Sequence, residues 1–190
     1  MTNIKENELL DKAEEAYEKG KSGLAVKIYT RLYEQGYESA CQELGFIFKY
    51  GGGDIEKDET KSQYWYQEYL RLLSEKSLRG NLTASLKLGL LYLHGDNVKK
   101  DNKKATKLIR KAAENHLPEA EFQLACMFLH GWGGNKVDIP LYQKWLDLAV
   151  QSEHLEAMYT KALDCGDLSL MEKAARGGFW PAQSYIDKLG

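Results

Sequence analysis

The chain is poor in proline, in cysteine and in long apolar segments. It has 3 prolines and 3 cysteines among 190 residues. Cys41, Cys126 and Cys165 lie far apart in the sequence and have neither metal-ligand nor disulfide-framework spacing. No apolar run approaches the roughly 20 residues of a membrane-spanning helix. Residues 1–11 lack the apolar stretch of a secretory signal. These absences predict a cytoplasmic protein without a membrane segment, unless a leading segment has been removed.

An excess of charge of either sign is also missing. The 26 lysines and arginines nearly balance 28 aspartates and glutamates, which leaves a net charge of −2. This balance argues against a global attraction to nucleic acid or to an anionic membrane. With 43% hydrophobic and 28% charged residues, the composition is typical of a folded chain. The length suits one domain or a short array of stacked units.

Glycine, in contrast, is abundant, with 17 residues, and many of these glycines recur at fixed offsets. Three segments share an alanine, a leucine-glycine pair, an aromatic residue and a final glycine, with alanine once in place of the middle glycine. They are Ala40-x3-Leu44-Gly45-x2-Phe48-x2-Gly51, Ala84-x3-Leu88-Gly89-x2-Tyr92-x2-Gly95 and Ala120-x3-Leu124-Ala125-x2-Phe128-x2-Gly131. Apolar and small residues at this spacing fall on one face of a helix. The pattern predicts an internal helical repeat.

A second pattern follows each segment and begins at Asp58, Asp101 or Asp138. These aspartates stand where a helix N-cap would accept backbone N–H groups, so each is predicted to open the second helix of a pair. The segment after Asp58 runs seven residues longer than its counterparts before the phase is restored. Because seven residues make about two helical turns, we expect a longer helix without a rotated apolar face.

Gly45 and Gly89 fall within predicted helices, where glycine costs about 1 kcal/mol relative to alanine. We expect this cost to be offset by a helix crossing too close for a Cβ atom. The small residues Ala105, Ala112 and Ala113 offer the matching surface for such a crossing.

Together these residues resemble the Sel-1-like repeat, a relative of the tetratricopeptide repeat, over residues 9–190. Ala125, His116 and Glu153 depart from the glycines of its motif. The resemblance implies a single all-α domain, residues 1–190, folded as a right-handed α–α superhelix (solenoid) of about five helix-turn-helix repeats. The predicted boundaries are 9–39 (degenerate), 40–83, 84–119, 120–156 and 157–181 (short), with a terminal helix over 182–190.

The sequence contains no motif that indicates catalysis. The glycine clusters at 51–53 and 131–134 lack the Lys-Ser/Thr of a phosphate-binding loop. His94 and His130 occupy the same repeat position before a loop glycine, and His116 and His154 lie near other helix ends. We interpret all four as polar residues favoured by the helix C-terminus. We therefore predict a protein that is not an enzyme and needs no cofactor and no metal.

One predicted helix is strongly basic. Its cations are Lys99, Lys100, Lys103, Lys104, Lys107, Arg110 and Lys111. A solvated outer face and a patch for an acidic partner both explain such a cluster. No interleaved aromatic residues support base stacking, so nucleic acid is not the expected partner.

Stacked helix pairs form a concave face that is lined by the first helix of each pair. Aromatic residues and histidines fall on this face or in the adjoining loop, where they suit a protein interface. The predicted partner-contacting residues are Phe46, Tyr50, His94, Phe122, His130, Trp132 and Tyr159.

We accordingly predict a monomeric adaptor or scaffold that binds another protein, such as a signalling or secretion component. The alternative is a bacterial immunity-type protein that neutralises a toxin, and this alternative rests on the family resemblance alone.

Overall fold

The structure, a computed structural model, describes the backbone of residues 2–189 and the side chains of residues 7–189. Within these residues the chain forms α-helices without a β-strand, apart from one isolated bridge between Gly52 and Ile55. The helices are α1 (Thr2–Glu18), α2 (Ser22–Glu34), α3 (Ser39–Tyr50), α4 (Glu59–Leu78), α5 (Leu82–His94), α6 (Asn102–Glu114), α7 (Pro118–His130), α8 (Ile139–Gln151), α9 (Leu155–Cys165), α10 (Leu168–Arg176) and α11 (Trp180–Ile186). A short 3-10 helix, Trp132–Gly134, follows α7.

The chain divides into two units, Met1–Leu78 and Arg79–Gly190. In the first unit α1 packs on α2, α2 on α3 and α3 on α4. In the second unit each helix from α5 to α11 likewise packs on the next one in the chain. Consecutive helices joined by short turns pack as hairpins, which is the arrangement that the repeat pattern predicts.

The cores are built from the residues that define the repeat. The five alanines that mark its phase are buried: Ala40, Ala84, Ala120, Ala157 and Ala182. The leucines four positions later in the three clear repeats, Leu44, Leu88 and Leu124, are buried as well. Larger residues of the second helices, such as Ile109 and Trp145, complete the interior of the second unit. The phase inferred from the sequence is therefore the core-facing phase.

The two glycines within helices lie at close helix crossings, as the sequence predicts. A Cβ atom on Gly45 would lie 2.9 Å from the ring of Tyr66 in α4. On Gly89 it would lie 2.7 Å from Cγ1 of Ile109 and 3.2 Å from the carbonyl oxygen of Ala105, both in α6. The predicted partner surface of small residues is only partly confirmed, because a bulky side chain fills each site. The missing methyl group makes room for Tyr66 and Ile109.

The three aspartates cap second helices as predicted. Asp58, Asp101 and Asp138 each place Oδ1 within 2.9–3.0 Å of a backbone N–H three residues later. The helix after Asp58 also has the predicted extra length. It has 20 residues, against 13 in α6 and 13 in α8.

Two of the residues that replace a repeat glycine keep the backbone conformation of glycine. His116 and Glu153 have φ angles of 59° and 60°, in the left-handed region that L-residues occupy at a cost. At the corresponding turns Gly80 and Gly178 have φ angles of 90° and 92°. The turn is therefore conserved in geometry where its glycine is not.

One expectation about histidine is wrong. His94 and His130 end α5 and α7, as predicted, but His154 is the N-cap of α9. Its Nδ1 accepts a hydrogen bond from the N–H of Ala157 at 3.2 Å. An unprotonated ring nitrogen can serve a helix N-terminus in the way a capping carboxylate does, and the sequence pattern did not distinguish the two ends.

Candidate functional site

The first unit exposes an aromatic surface on α3. Phe46 and Tyr50 are one helical turn apart, their ring centroids lie 4.8 Å from each other, and they remain 41% and 61% exposed. Tyr17 of α1 meets Phe46 edge to face at 6.1 Å. The ammonium of Lys49 lies 5.6 Å from the centroid of the Tyr50 ring. Two of the predicted contact residues thus form one accessible aromatic pair, the α3 pair.

The second unit exposes Trp132 in the loop after α7. Its indole ring is 46% exposed and stacks on His130, with ring centroids 4.6 Å apart and an interplanar angle of 30°. The side-chain amide of Asn135 donates to the carbonyl oxygen of Trp132 at 2.7 Å. The Thr106 hydroxyl of α6 donates to the carbonyl of Gly133 at 2.9 Å. These bonds hold the backbone of the loop that carries Trp132.

The other predicted contact residues do not join these pairs. His94 is exposed at the end of α5. Tyr159 is half-buried on α9, where its ring packs against Phe179 with centroids 5.4 Å apart. The predicted residues therefore form separate surface features within each unit.

Phe122 is not accessible. It is only 5% exposed, in the core of the second unit, and the ring of His154 stacks on it with centroids 4.9 Å apart. Because the N-cap of α9 covers this part of α7, the Phe122 ring stabilises packing and offers no surface to a partner. The expectation of a direct contact at Phe122 is corrected accordingly.

A groove in the first unit was missed by the sequence reasoning. It is lined by Glu14, Tyr17, Glu18, Tyr29, Glu43, Phe46 and Ile47, with a cavity volume of about 240 Å³. We call it the acidic groove. Only Phe46 among these residues was a predicted contact. The signal in the sequence was the pair of turns Glu14-x2-Tyr17-Glu18 and Glu43-x2-Phe46-Ile47, which place carboxylates beside aromatic residues on one face of each helix.

The electrostatics of the groove are dominated by burial. Loss of solvent, followed by the charge of Glu14, raises the pKa of the half-buried Glu43. Burial, followed by the charges of Glu43 and Glu14, also raises the pKa of the Tyr29 hydroxyl. These three groups therefore interact, and they lack a compensating positive charge among the described lining residues.

The thiols of Cys41 and Cys126 are deactivated by burial. Burial raises the pKa of Cys41 to about 12 and that of Cys126 to about 11. Within residues 7–189, no group of three or more histidine, cysteine, aspartate or glutamate side chains is placed to hold a metal ion. None of the helices among residues 2–189 is both long and apolar enough to cross a bilayer.

The chain is built from consecutive α-helical hairpins, and small residues recur at the crossings between their helices. This arrangement defines a tetratricopeptide-like helical-repeat protein. The Sel1 repeat model matches residues 38–68, 83–117 and 118–152, which together exceed half of the chain. The chain belongs to the Sel1 repeat family. Proteins of this family mediate protein–protein interactions, typically as non-catalytic adaptors or scaffolds.

Relatives agree with this assignment. Protein sel-1 homolog 2 of Homo sapiens is 33% identical over 138 residues, covering 72% of this chain and 19% of the relative. The ERAD-associated E3 ubiquitin-protein ligase component HRD3A of Arabidopsis thaliana is 30% identical over 151 residues, covering 73% of this chain and 21% of the relative. The chain thus spans about a fifth of the length of these two relatives.

The solved structures show the same fold. A Sel1 repeat protein from Oxalobacter formigenes superposes with a TM-score of 0.57 at 24% identity, covering 84% of this chain and 57% of the other. The predicted all-α solenoid fold is confirmed.

Proposed function

We propose that this chain is a non-catalytic module that binds a partner protein through the first helices of its helix pairs and the loops that follow them. The observation that supports the proposal is the exposure of aromatic rings in pairs at these positions, Phe46 with Tyr50 and His130 with Trp132. Aromatic side chains on fixed backbone are the residues that most often dominate the binding energy of protein interfaces.

Both aromatic pairs lie on the first helix of a helix pair or in the loop that follows it. In stacked helical repeats these helices line the concave face, which is the common recognition surface. We therefore propose that each unit uses the concave side of its own first helices, with the α3 pair as the anchor in the first unit and the Trp132–His130 pair as the anchor in the second. Side chains there already have restricted rotamers through ring stacking, which lowers the entropy lost on binding.

The test is quantitative capture of a partner by the full chain and by single variants. Tyr50→Ala and Trp132→Ala should weaken binding by about 2 kcal/mol each, roughly thirtyfold in Kd, if they are anchors. Tyr64→Ala is the matched control, because Tyr64 is an aromatic residue of α4 with 58% exposure on a second helix.

Binding that is unchanged in both Tyr50→Ala and Trp132→Ala would place the interface elsewhere. Equal losses in all three variants would indicate non-specific adhesion of exposed rings. Circular dichroism of each variant should show unchanged helicity, since none of the three rings lies in a core.

A further inference from the structure

The acidic groove is lined by three helices of the first unit. Glu14 and Tyr17 come from α1, and Glu43 and Phe46 come from α3. We call the buried Tyr29 of α2 the floor of the groove, and Tyr17 with the more exposed Phe46 its rim. Its volume of about 240 Å³ is below the roughly 300–1,000 Å³ of pockets that enclose a small-molecule ligand. The size fits a single long side chain better than a metabolite.

The floor of the groove has an unused hydrogen-bonding group. Tyr29 is only 2% exposed, and its hydroxyl has no hydrogen-bond partner among residues 7–189. The Tyr29 hydroxyl is not among the fully enclosed oxygens without a partner, unlike Oγ of Ser22 and Oε2 of Glu121, and Tyr29 is one of the residues that line the groove. A polar group held inside a protein without a partner favours a ligand that can pair with it.

The carboxylates of the groove are also without cations. Glu14, Glu18 and Glu43 form no ion pair with any residue in the described side-chain range. Elsewhere in the same unit carboxylates do have cations, as Glu68 has Arg71 at 2.6 Å. Glu43 is half-buried, whereas Glu14 and Glu18 are exposed at its edge. Negative charge next to the partly desolvated Glu43 is unfavourable until a positive charge enters the groove.

The rim supplies aromatic surface for such a charge. Tyr17 and Phe46 stand edge to face on opposite helices at the groove. Ring faces attract cations, and the planar guanidinium of arginine stacks on them while it donates hydrogen bonds to carboxylates in its plane. An ammonium group can also meet the charge and the rings, but only a planar guanidinium can in addition donate parallel hydrogen bonds to a carboxylate.

We infer that the acidic groove is a subsite for one arginine side chain of a bound protein segment. The guanidinium lies between Glu14 and Glu43, packs against the aromatic rim formed by Tyr17 and Phe46, and donates to the Tyr29 hydroxyl at the floor. This inference rests on the proposed function, since it specifies the chemistry that a partner must present next to the α3 pair.

The experiment uses the full chain, isotopically labelled, and two capped tripeptides as probes in NMR titrations. One probe is Gly-Arg-Gly, and the other is Gly-citrulline-Gly, which has nearly the same shape without the charge. We expect Gly-Arg-Gly to give saturable shifts at the amides of α1, α2 and α3 around the groove. The citrulline probe should bind at least tenfold more weakly, because the charge-assisted bonds are lost.

Near-isosteric variants locate the site. Glu43→Gln and Glu14→Gln should each weaken binding of Gly-Arg-Gly by about fivefold or more, as expected for loss of one charged acceptor. Glu34→Gln is the matched control, because Glu34 is an exposed carboxylate of α2 outside the groove. Unchanged amide spectra of the free variants establish that they are folded.

Equal binding of the citrulline probe, or full binding to both groove variants, would overturn the inference. So would shifts spread over exposed carboxylates, with Glu34→Gln as effective as Glu43→Gln. The outcome is separable from that of the proposed function, because the peptides need no partner protein. If the arginine probe binds but Tyr50→Ala and Trp132→Ala keep the partner, the subsite holds and the aromatic anchors fail.

Discussion

A leucine in place of Gly89 would force apart the crossing of α5 and α6. The first atom of the new side chain would already lie 2.7 Å from Cγ1 of Ile109 and 3.2 Å from the carbonyl oxygen of Ala105. Carbon atoms pack best at about 3.5–4.0 Å, so the overlap with Ile109 is close to 1 Å. Ala105 contributes backbone, which cannot rotate away. The helices must therefore separate to admit any side chain.

The magnitude follows from two opposing effects. Helix propensity favours an alanine or a leucine over glycine by up to about 1 kcal/mol. Overpacking a well-packed core costs about 1–3 kcal/mol, and occasionally more. Gly89→Ala adds one atom, so we expect a net loss of stability of about 1 kcal/mol. Gly89→Leu adds three more atoms toward the same wall, and we expect a loss of about 2–3 kcal/mol.

Urea unfolding followed by far-ultraviolet circular dichroism measures both changes. A double-mutant cycle with Ile109→Ala tests the cause, because that change removes the Cγ1 atom that the new methyl would meet. Although Ile109→Ala is itself costly, Gly89→Ala should be better tolerated in that background, with a coupling of about 1 kcal/mol. If Gly89→Ala stabilised both the wild-type chain and the Ile109→Ala variant, as helix propensity alone would predict, the close-crossing explanation would be refuted.

Three further outcomes are expected from unfolding experiments. Glu43→Gln should raise Tm at about pH 7, because burial and the charge of Glu14 raise the pKa of Glu43 in the folded state above its unfolded value. Ionisation of Glu43 therefore opposes folding at neutral pH, and the gain in Tm should vanish as the pH falls below both pKa values. Glu153→Gly should increase the unfolding free energy by about 0.5–1 kcal/mol, because φ is 60° there, whereas Glu153→Ala, which keeps the Cβ atom, should give no such gain. Asp101→Ala should lower the free energy of unfolding by about 0.5–2 kcal/mol, because the hydrogen bond from the Lys104 N–H to the capping carboxylate is lost. Asp101→Asn keeps a side-chain oxygen as acceptor and should retain most of this stability.

The helices and their core faces were predictable because each repeat position has one physical task. Ala84, Leu88 and Gly89, for example, face the interior, as their spacing in the repeat predicts. Caps such as Asp138 follow from the need to satisfy N–H groups at a helix start. These rules depend on near neighbours in sequence, so a single chain is enough to apply them.

Exposure of the first-helix residues was harder to predict, because it depends on the helix that packs next. Phe122 occupies a position that the repeat pattern directs outward, yet the side chain of His154 covers it. His154 does so because it caps α9, a role that the sequence pattern alone had placed at a helix C-terminus. The exposure of Phe122 thus depends on a residue 32 positions later in the sequence, and local spacing cannot predict such a contact.

The acidic groove shows why overall charge is a poor guide to recognition. A net charge of −2 excludes a uniformly basic surface, but screening limits each charge to neighbours within about 8–10 Å. Several carboxylates of this chain form an ion pair, as Glu68 does with Arg71 and Glu38 with Lys76. Such pairing cancels charge locally, whereas the carboxylates of the groove keep theirs. A partner that avoids the chain as a whole can therefore still be selected by one arginine placed where the pairing is incomplete.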